Sequence, residues 1–244
     1  MMINIRSDKM VIISDLHIGN PFSRLKKQTN DFIRWAFREG YDICINGDGL
    51  EIAQVSFKKL ARDVPEFFRA IKSGDANCYY VVGNHDMALE HFLEDWGVLK
   101  VTPFLNVSSG HQRIRIEHGH LYDPFFVKHP DLYEFMTWVG GFALAVHPSI
   151  YRAWIWFEKL KSRLRGPLQE LGIPGEHPSF FHASAEILNR GFDAVVFGHT
   201  HHAGVVQFDN GKRYFNSGSW LVQPSYILIE HGKIELRRYN AAEE

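Results

Sequence analysis

The stretch Met10-Val-Ile-Ile-Ser-Asp15-Leu-His17 is an unbroken apolar run that stops at a carboxylate and, two residues on, an imidazole. An apolar run too short for a helix and without alternation reads as a strand buried on both faces, the kind found in parallel sheets covered by helices. The same sentence is written four more times along the chain. Ile43-Cys44-Ile45 runs into Asn46-Gly47-Asp48, and Tyr80-Val81-Val82 into Gly83-Asn84-His85-Asp86. Ile114-Arg115-Ile116 leads to His118-Gly119-His120, and Ala194-Val195-Val196-Phe197 to Gly198-His199-Thr200-His201. Open α/β sheets bind ligands at the carboxyl ends of their strands, so five such ends would bring these groups to one place.

Helical patterns separate the first strands. Residues 22–39 carry Phe22, Leu25, Phe32, Ile33, Ala36 and Phe37 on one face before Gly40, and residues 57–72 turn Leu60, Ala61, Val64, Phe67, Phe68 and Ile71 inward. Pro65 is expected to interrupt or divide the second helix, and residues 87–96 read as a short third one. After residue 100 the pattern changes to hairpins: 104–107 with 112–117, then 194–197, 205–208, 212–215, 220–222, 226–229 and 233–239 in close succession. Between them, about 121–190, lies a helical, aromatic-rich stretch that reads as an insert or cap in a single domain spanning 1–244.

Composition narrows the classes. Apolar residues make up 45% and charged residues 23%, which is globular. Lys and Arg number 27 against 28 Asp and Glu, so no basic field recruits nucleic acid. Cys44 and Cys78 lie inside apolar runs, as reduced, buried thiols of a cytoplasmic protein do. The N-terminus lacks the apolar core of a signal peptide, and the uncharged stretch 135–151 is too short and too broken to span a membrane. Histidine is the unusual count, at 14. Asp-x-His, Gly-Asp or His-x-His alone is an ordinary turn; all of them at strand ends make a metal site.

The set Asp15-x-His17, Gly47-Asp48-x-x-Glu51, Gly83-Asn84-His85-Asp86, His118 and Gly198-His199-Thr200-His201 resembles the calcineurin-like metallophosphoesterase signature, in the family's order. The resemblance implies a four-layer α/β/β/α sandwich with two mixed sheets and a binuclear metal centre at their rim. One metal would take Asp15, His17, Asp48 and His201, and the other Asp48, Asn84, His118 and His199, with Asp48 bridging. Carboxylate, imidazole and amide ligands suit two divalent ions, Mn²⁺ first and Fe²⁺ or Zn²⁺ next. Metal-bound hydroxide would attack a phosphoanhydride or phosphoester. His85 would face the substrate phosphate as a catalytic group, with Asp86 orienting it or capping the helix that follows. Asn84 and His120 are further candidates for substrate contact. Glu51 is expected to support the site rather than bind metal, His202 to face solvent, and His91, His111, His129, His147, His177, His182 and His231 to carry no chemistry.

Within the insert, Arg152, Lys159, Lys161, Arg163 and Arg165 stand against a single acid, Glu158, while Ile150, Trp154, Phe157, Leu160 and Leu164 fall at helical spacing. This is either a packed cover or an aromatic, basic lid in which Arg152, Trp154 and Lys161 would bind an acyl-chain phosphate or meet an anionic membrane. A helical insert at this place is similar to that of the UDP-2,3-diacylglucosamine pyrophosphatases of lipid A synthesis, which act at the inner face of the membrane. Those enzymes usually carry Arg where His85 stands and Asp where His120 stands. The alternatives are a phosphodiesterase of soluble nucleotides and a non-catalytic scaffold of the retromer type.

Overall fold

The computed structural model describes residues 3–20, 25–92, 97, 99–146, 172–221 and 223–240. Two six-stranded mixed sheets lie face to face, and helices cover both outer surfaces, the sandwich that the metallophosphoesterase resemblance implies. The first sheet contains β2 (Lys9–Ile13), β3 (Asp42–Asn46), β4 (Cys78–Val81) and β5 (Lys100–Thr102), all parallel, together with β11 (Ser225–Glu230) and β12 (Lys233–Arg238). Its order is β12-β11-β2-β3-β4-β5. The second holds β1 (Ile3–Arg6), β6 (Leu105–Ser109), β7 (Gln112–Ile116), β8 (Ala194–Phe197), β9 (Gly204–Gln207) and β10 (Arg213–Asn216), in the order β1-β6-β7-β8-β10-β9.

Alternation explains why the strands are apolar throughout. Along β2, Met10 and Ile12 point into the layer between the sheets, where they meet Ile114, Ile116 and Val196. Val11 and Ile13 point the other way, onto Phe32 and Ile33 of α1 (Lys26–Arg38) and Phe67 of α2 (Phe57–Ile71). On the far side, α5 (Pro178–Asn189) lays Phe180, Ile187 and Leu188 against Val195 and Phe197 of β8. His177 starts that helix: its ring accepts the Ser179 N–H at 3.2 Å, and Pro178 follows at the first helical position. The helix at 178–189 is thus a wall of the sandwich, whereas α3 (Pro124–Lys128) and α4 (Pro130–Val146) stand outside it.

Several local expectations give way. Pro65 does not break α2, because it and Ala61, whose carbonyl loses a partner, both face solvent. Of the short helix expected at 87–96, Met87–Phe92 form a 3-10 turn, and residues 93–96 lie outside the described residues. Strands β1 and β5 escape sequence reading because they are four and three residues long, β1 only alternately half-buried. Of the strand expected at 220–222, Trp220 and Leu221 lie in a turn beside the Ser219 to Gln223 bridge, and residue 222 lies outside the described residues. Strand β8 is no hairpin arm: it pairs in parallel with both β7 and β10. The start of the first helix at 22–24 and the stretch 147–171, with Arg152, Trp154 and Lys161, lie outside the described residues. Among the described residues, no helix is long and apolar enough to cross a membrane.

If α5 is part of the core, truncating its largest buried side chain must cost what a core truncation costs. Phe180→Ala should lower unfolding free energy by roughly 3–5 kcal/mol in a denaturant titration. A loss below about 1 kcal/mol would mean that the helix is only draped over β8.

Candidate metal centre

The carboxyl ends of β2, β3, β4, β7 and β8 open onto one rim, and the polar residues after them meet there. Asp15, His17, Asp48, Asn84 and His118 are buried, while His199 and His201 are half-buried on the open side. Three sets of ligand atoms lie within 4.8 Å of one another: Asp15, His17 and His201; His17, Asp48 and His85; Asp15, Asp48 and His118. Asp48 belongs to two of them. Asn84 joins through its oxygen, 3.1 Å from His118 Nε2 and 2.8 Å from His199 Nδ1. The sequence-derived set of seven is therefore brought together entire.

The backbone is bent to make this possible. Asp15, His17, Asp48, His199 and His201 all have φ between 47° and 64°, and among the described residues only His231 is a further non-glycine case. Left-handed backbone at non-glycine residues is sparsely populated and gathers at functional sites. Gly83 allows the close approach of β4 to β3: a Cβ there would lie 2.2 Å from Asp48 Oδ1.

Hydrogen bonds set which histidine nitrogens are free. An ionised carboxylate only accepts, so Glu51 takes the Nδ1–H of His17 at 2.7 Å and of His85 at 2.6 Å. Likewise the Asn46 carbonyl takes the Nδ1–H of His118 at 2.8 Å, and Asp123 binds His199 Nε2 at 3.0 Å. The atoms left facing the centre are Nε2 of His17 and His118 and Nδ1 of His199. His17 Nε2 is buried with no hydrogen-bond partner. A buried lone pair of this kind, ringed by carboxylates, fits a cation.

Electrostatics point the same way. Burial alone would depress His85 and His118, yet the Asp48 charge outweighs it and lifts them to about 10 and about 9. Burial would raise Glu51, yet His85 and His17 hold it at about 2. Burial, aided by the charges of His118 and His199, takes His120 down to about 3, so its ring is neutral, with Nδ1 unpartnered beside Phe126.

The structure corrects two roles. Asp86 does not orient His85: its carboxylate takes Tyr80 O–H at 2.5 Å, Gly83 N–H at 2.6 Å and Gly49 N–H at 3.0 Å, tying two metal-site loops together. Burial and the Asp48 charge raise it to about 6. Glu51 holds His85 instead. His202 does not simply face water; it packs against Gly175.

Residues 9–203 match the calcineurin-like phosphoesterase family. The chain belongs to that family. It is a phosphoesterase, and the family implies divalent metal ions at this rim. Its fold is similar to that of a dimetal phosphatase from Danio rerio, at 12% identity and TM-score 0.49, covering 94% of this chain and 95% of that one. Vps29 from Entamoeba histolytica is similar at 15% identity and TM-score 0.45, covering 95% and 99%. Comparison with curated proteins gives no match.

Three residues of this phosphoesterase site escaped sequence reasoning. Asp123 both caps α3, accepting Phe125 N–H at 2.8 Å, and holds His199; its sequence signal is the Asp-Pro pair of a helix start. Tyr133 of α4 accepts the Asn84 side-chain N–H at 2.7 Å, with no sequence signal. Glu176, pushed up to about 7 by burial, accepts from Thr200, Tyr214 and Asn216 and thereby braces the loop between His199 and His201. Nothing in the flanking Pro-Gly-Glu-His marks it.

Glu51→Gln keeps the shape but cannot accept both imidazole protons. Its Mn²⁺ affinity, measured by calorimetry, should fall roughly 10–100-fold. Unchanged affinity would show that Glu51 does not fix His17.

Proposed function

We propose that this phosphoesterase is a binuclear metal-dependent phosphohydrolase whose substrate is a lipid-bearing phosphoanhydride resembling UDP-2,3-diacylglucosamine. The convergence of all seven ligand residues on one rim, with His17 Nε2 unsatisfied, carries the metal half of this reading. Asp15, His17, Asp48 and His201 would hold one ion and Asp48, Asn84, His118 and His199 the other, with Mn²⁺ the favoured metal. Two such ions activate water and neutralise a phosphoryl group when bound.

The chain's own groups supply the rest. Glu51 keeps the His85 Nδ1 proton in a hydrogen bond, so His85 gives or takes a proton at Nε2. His120 is neutral and offers either a donor or an acceptor to the substrate. A scaffold would have no use for seven intact ligand positions, five of them on left-handed backbone.

The lipid half rests on α3 and α4. Their exposed apolar side chains include Phe125, Leu132, Phe135, Trp138 and Phe142, with Trp138 63% exposed and stacked between Phe135 and Phe142. A surface of this kind suits acyl chains or a membrane face. It is joined to the rim through Asp123 to His199 and Tyr133 to Asn84. We place the working enzyme at the cytoplasmic surface of a membrane.

Chelation should abolish hydrolysis of a chromogenic phosphodiester, and Mn²⁺ should restore it; full activity at a metal content near zero sinks the mechanism.

The apolar face has its own test. Phe135→Ala with Trp138→Ala should raise KM for a long-chain UDP-diacylglucosamine by tenfold or more, since burying each large side chain is worth roughly 1.5–3 kcal/mol. The small chromogenic diester should be turned over as before. Equal effects on both substrates would remove the support for a lipid.

A further inference from the structure

We propose that Tyr133 is a substrate-contacting residue whose hydroxyl donates a hydrogen bond to an oxygen of the phosphate held at the rim. The proposal rests on the phosphohydrolase reading above and adds to it a residue that lies outside the sandwich, on α4.

The Asn84 side chain decides the direction of the bonds. Its oxygen faces His118 Nε2 and His199 Nδ1, at 3.1 and 2.8 Å, so its nitrogen is the end that meets Tyr133, at 2.7 Å. An amide nitrogen only donates, and the phenol oxygen therefore accepts. That leaves the Tyr133 proton to be given elsewhere, and among the described residues no acceptor takes it. The hydroxyl thus stands one carboxamide away from the ligand atoms of the second metal position, with an unused donor.

The surroundings hold it there. The Tyr133 ring meets Phe126 edge to face, at a centroid distance of 5.0 Å, and Phe125 at 6.1 Å. Helix α3, which carries both, is pinned by Asp123 to His199. A half-buried phenol fixed by aromatic neighbours loses little freedom when it binds, which favours a positioned donor. A phosphoryl oxygen is an anionic acceptor, and hydrogen bonds to charged groups are the stronger ones.

The test uses the full-length protein loaded with Mn²⁺, wild type and Tyr133→Phe, which removes one oxygen and keeps the ring. Inorganic phosphate is titrated by calorimetry, bound metal is counted by elemental analysis, and hydrolysis of a chromogenic phosphodiester is followed in parallel. The expected result is phosphate binding weaker by roughly tenfold to a hundredfold, a matching fall in kcat/KM, and two ions per chain in both proteins. Val127→Ala, 56% exposed on the neighbouring α3 and without a ring contact to Tyr133, should leave all three readings unchanged. Unaltered phosphate affinity in Tyr133→Phe overturns the proposal. So does a loss that excess Mn²⁺ restores, because the hydroxyl would then act only by positioning Asn84. A fall of the same size in Val127→Ala would make the effect one of segment folding and would overturn it as well. Wild-type protein that takes up two ions yet neither binds phosphate nor hydrolyses any ester would instead overturn the functional reading on which the proposal stands.

Discussion

Asp48 is buried beside Asp15 and Glu51 at the rim where the two sheets meet, and the rest of the site is arranged around that concentration of negative charge. Carboxylates taken out of water are costly unless opposite charge or hydrogen-bond donors stand against them. Here the compensation is of two kinds. His85 N–H donates to Asp48 at 2.8 Å, and the rings of His118 and His201 lie 3.3 and 3.1 Å from Asp48 and Asp15. His17 Nε2 and Asp15 Oδ1 remain buried without a hydrogen-bond partner, and the family implies divalent cations at such a centre.

The sandwich exists to hold these groups at one height. Parallel strands end at a common edge, so the β2, β3 and β4 ends of one sheet and the β7 and β8 ends of the other deliver side chains from opposite sides of a cleft. The inter-sheet layer of Met10, Ile12, Ile116 and Val196 sets how far apart the two halves sit. Close packing there is stiff, and stiffness is what keeps five residues in left-handed backbone.

Two supports reach the rim from outside the strands. Glu176, with Thr200, Tyr214 and Asn216, braces the His199 to His201 loop from the second sheet. Helices α3 and α4 brace Asn84 and His199 from above through Tyr133 and Asp123. Because α4 also carries the exposed aromatic face, that face is joined to the rim through the Tyr133 to Asn84 hydrogen bond.

The strand ends were legible in the sequence because the chemistry is local: each apolar run is followed within three residues by a carboxylate, amide or imidazole, three times directly after a glycine, and five repeats of that pattern name both the sheet edge and the site. That Asp15, His17, Asp48, Asn84, His118, His199 and His201 form the metal-binding set among them is what the resemblance to the metallophosphoesterases implies. The short edge strands β1 and β5 did not, since three or four residues of weak alternation carry no signal until a neighbour pairs with them. The partner of His85 was misjudged for a related reason: Asp86 is adjacent in sequence, but the turn after β4 points its carboxylate at Tyr80, and Glu51, 34 positions away, takes the ring proton. Sequence by itself determined an α/β class and which strand ends meet, because periodicity and strand-end chemistry are properties of neighbouring residues, and the resemblance implied the two-sheet sandwich. Only the tertiary structure decided which nitrogen of each histidine is free and how Glu51, Asp123, Tyr133 and Glu176 serve the centre, because a hydrogen bond depends on where distant backbone segments place two atoms, and nothing within either segment records the distance.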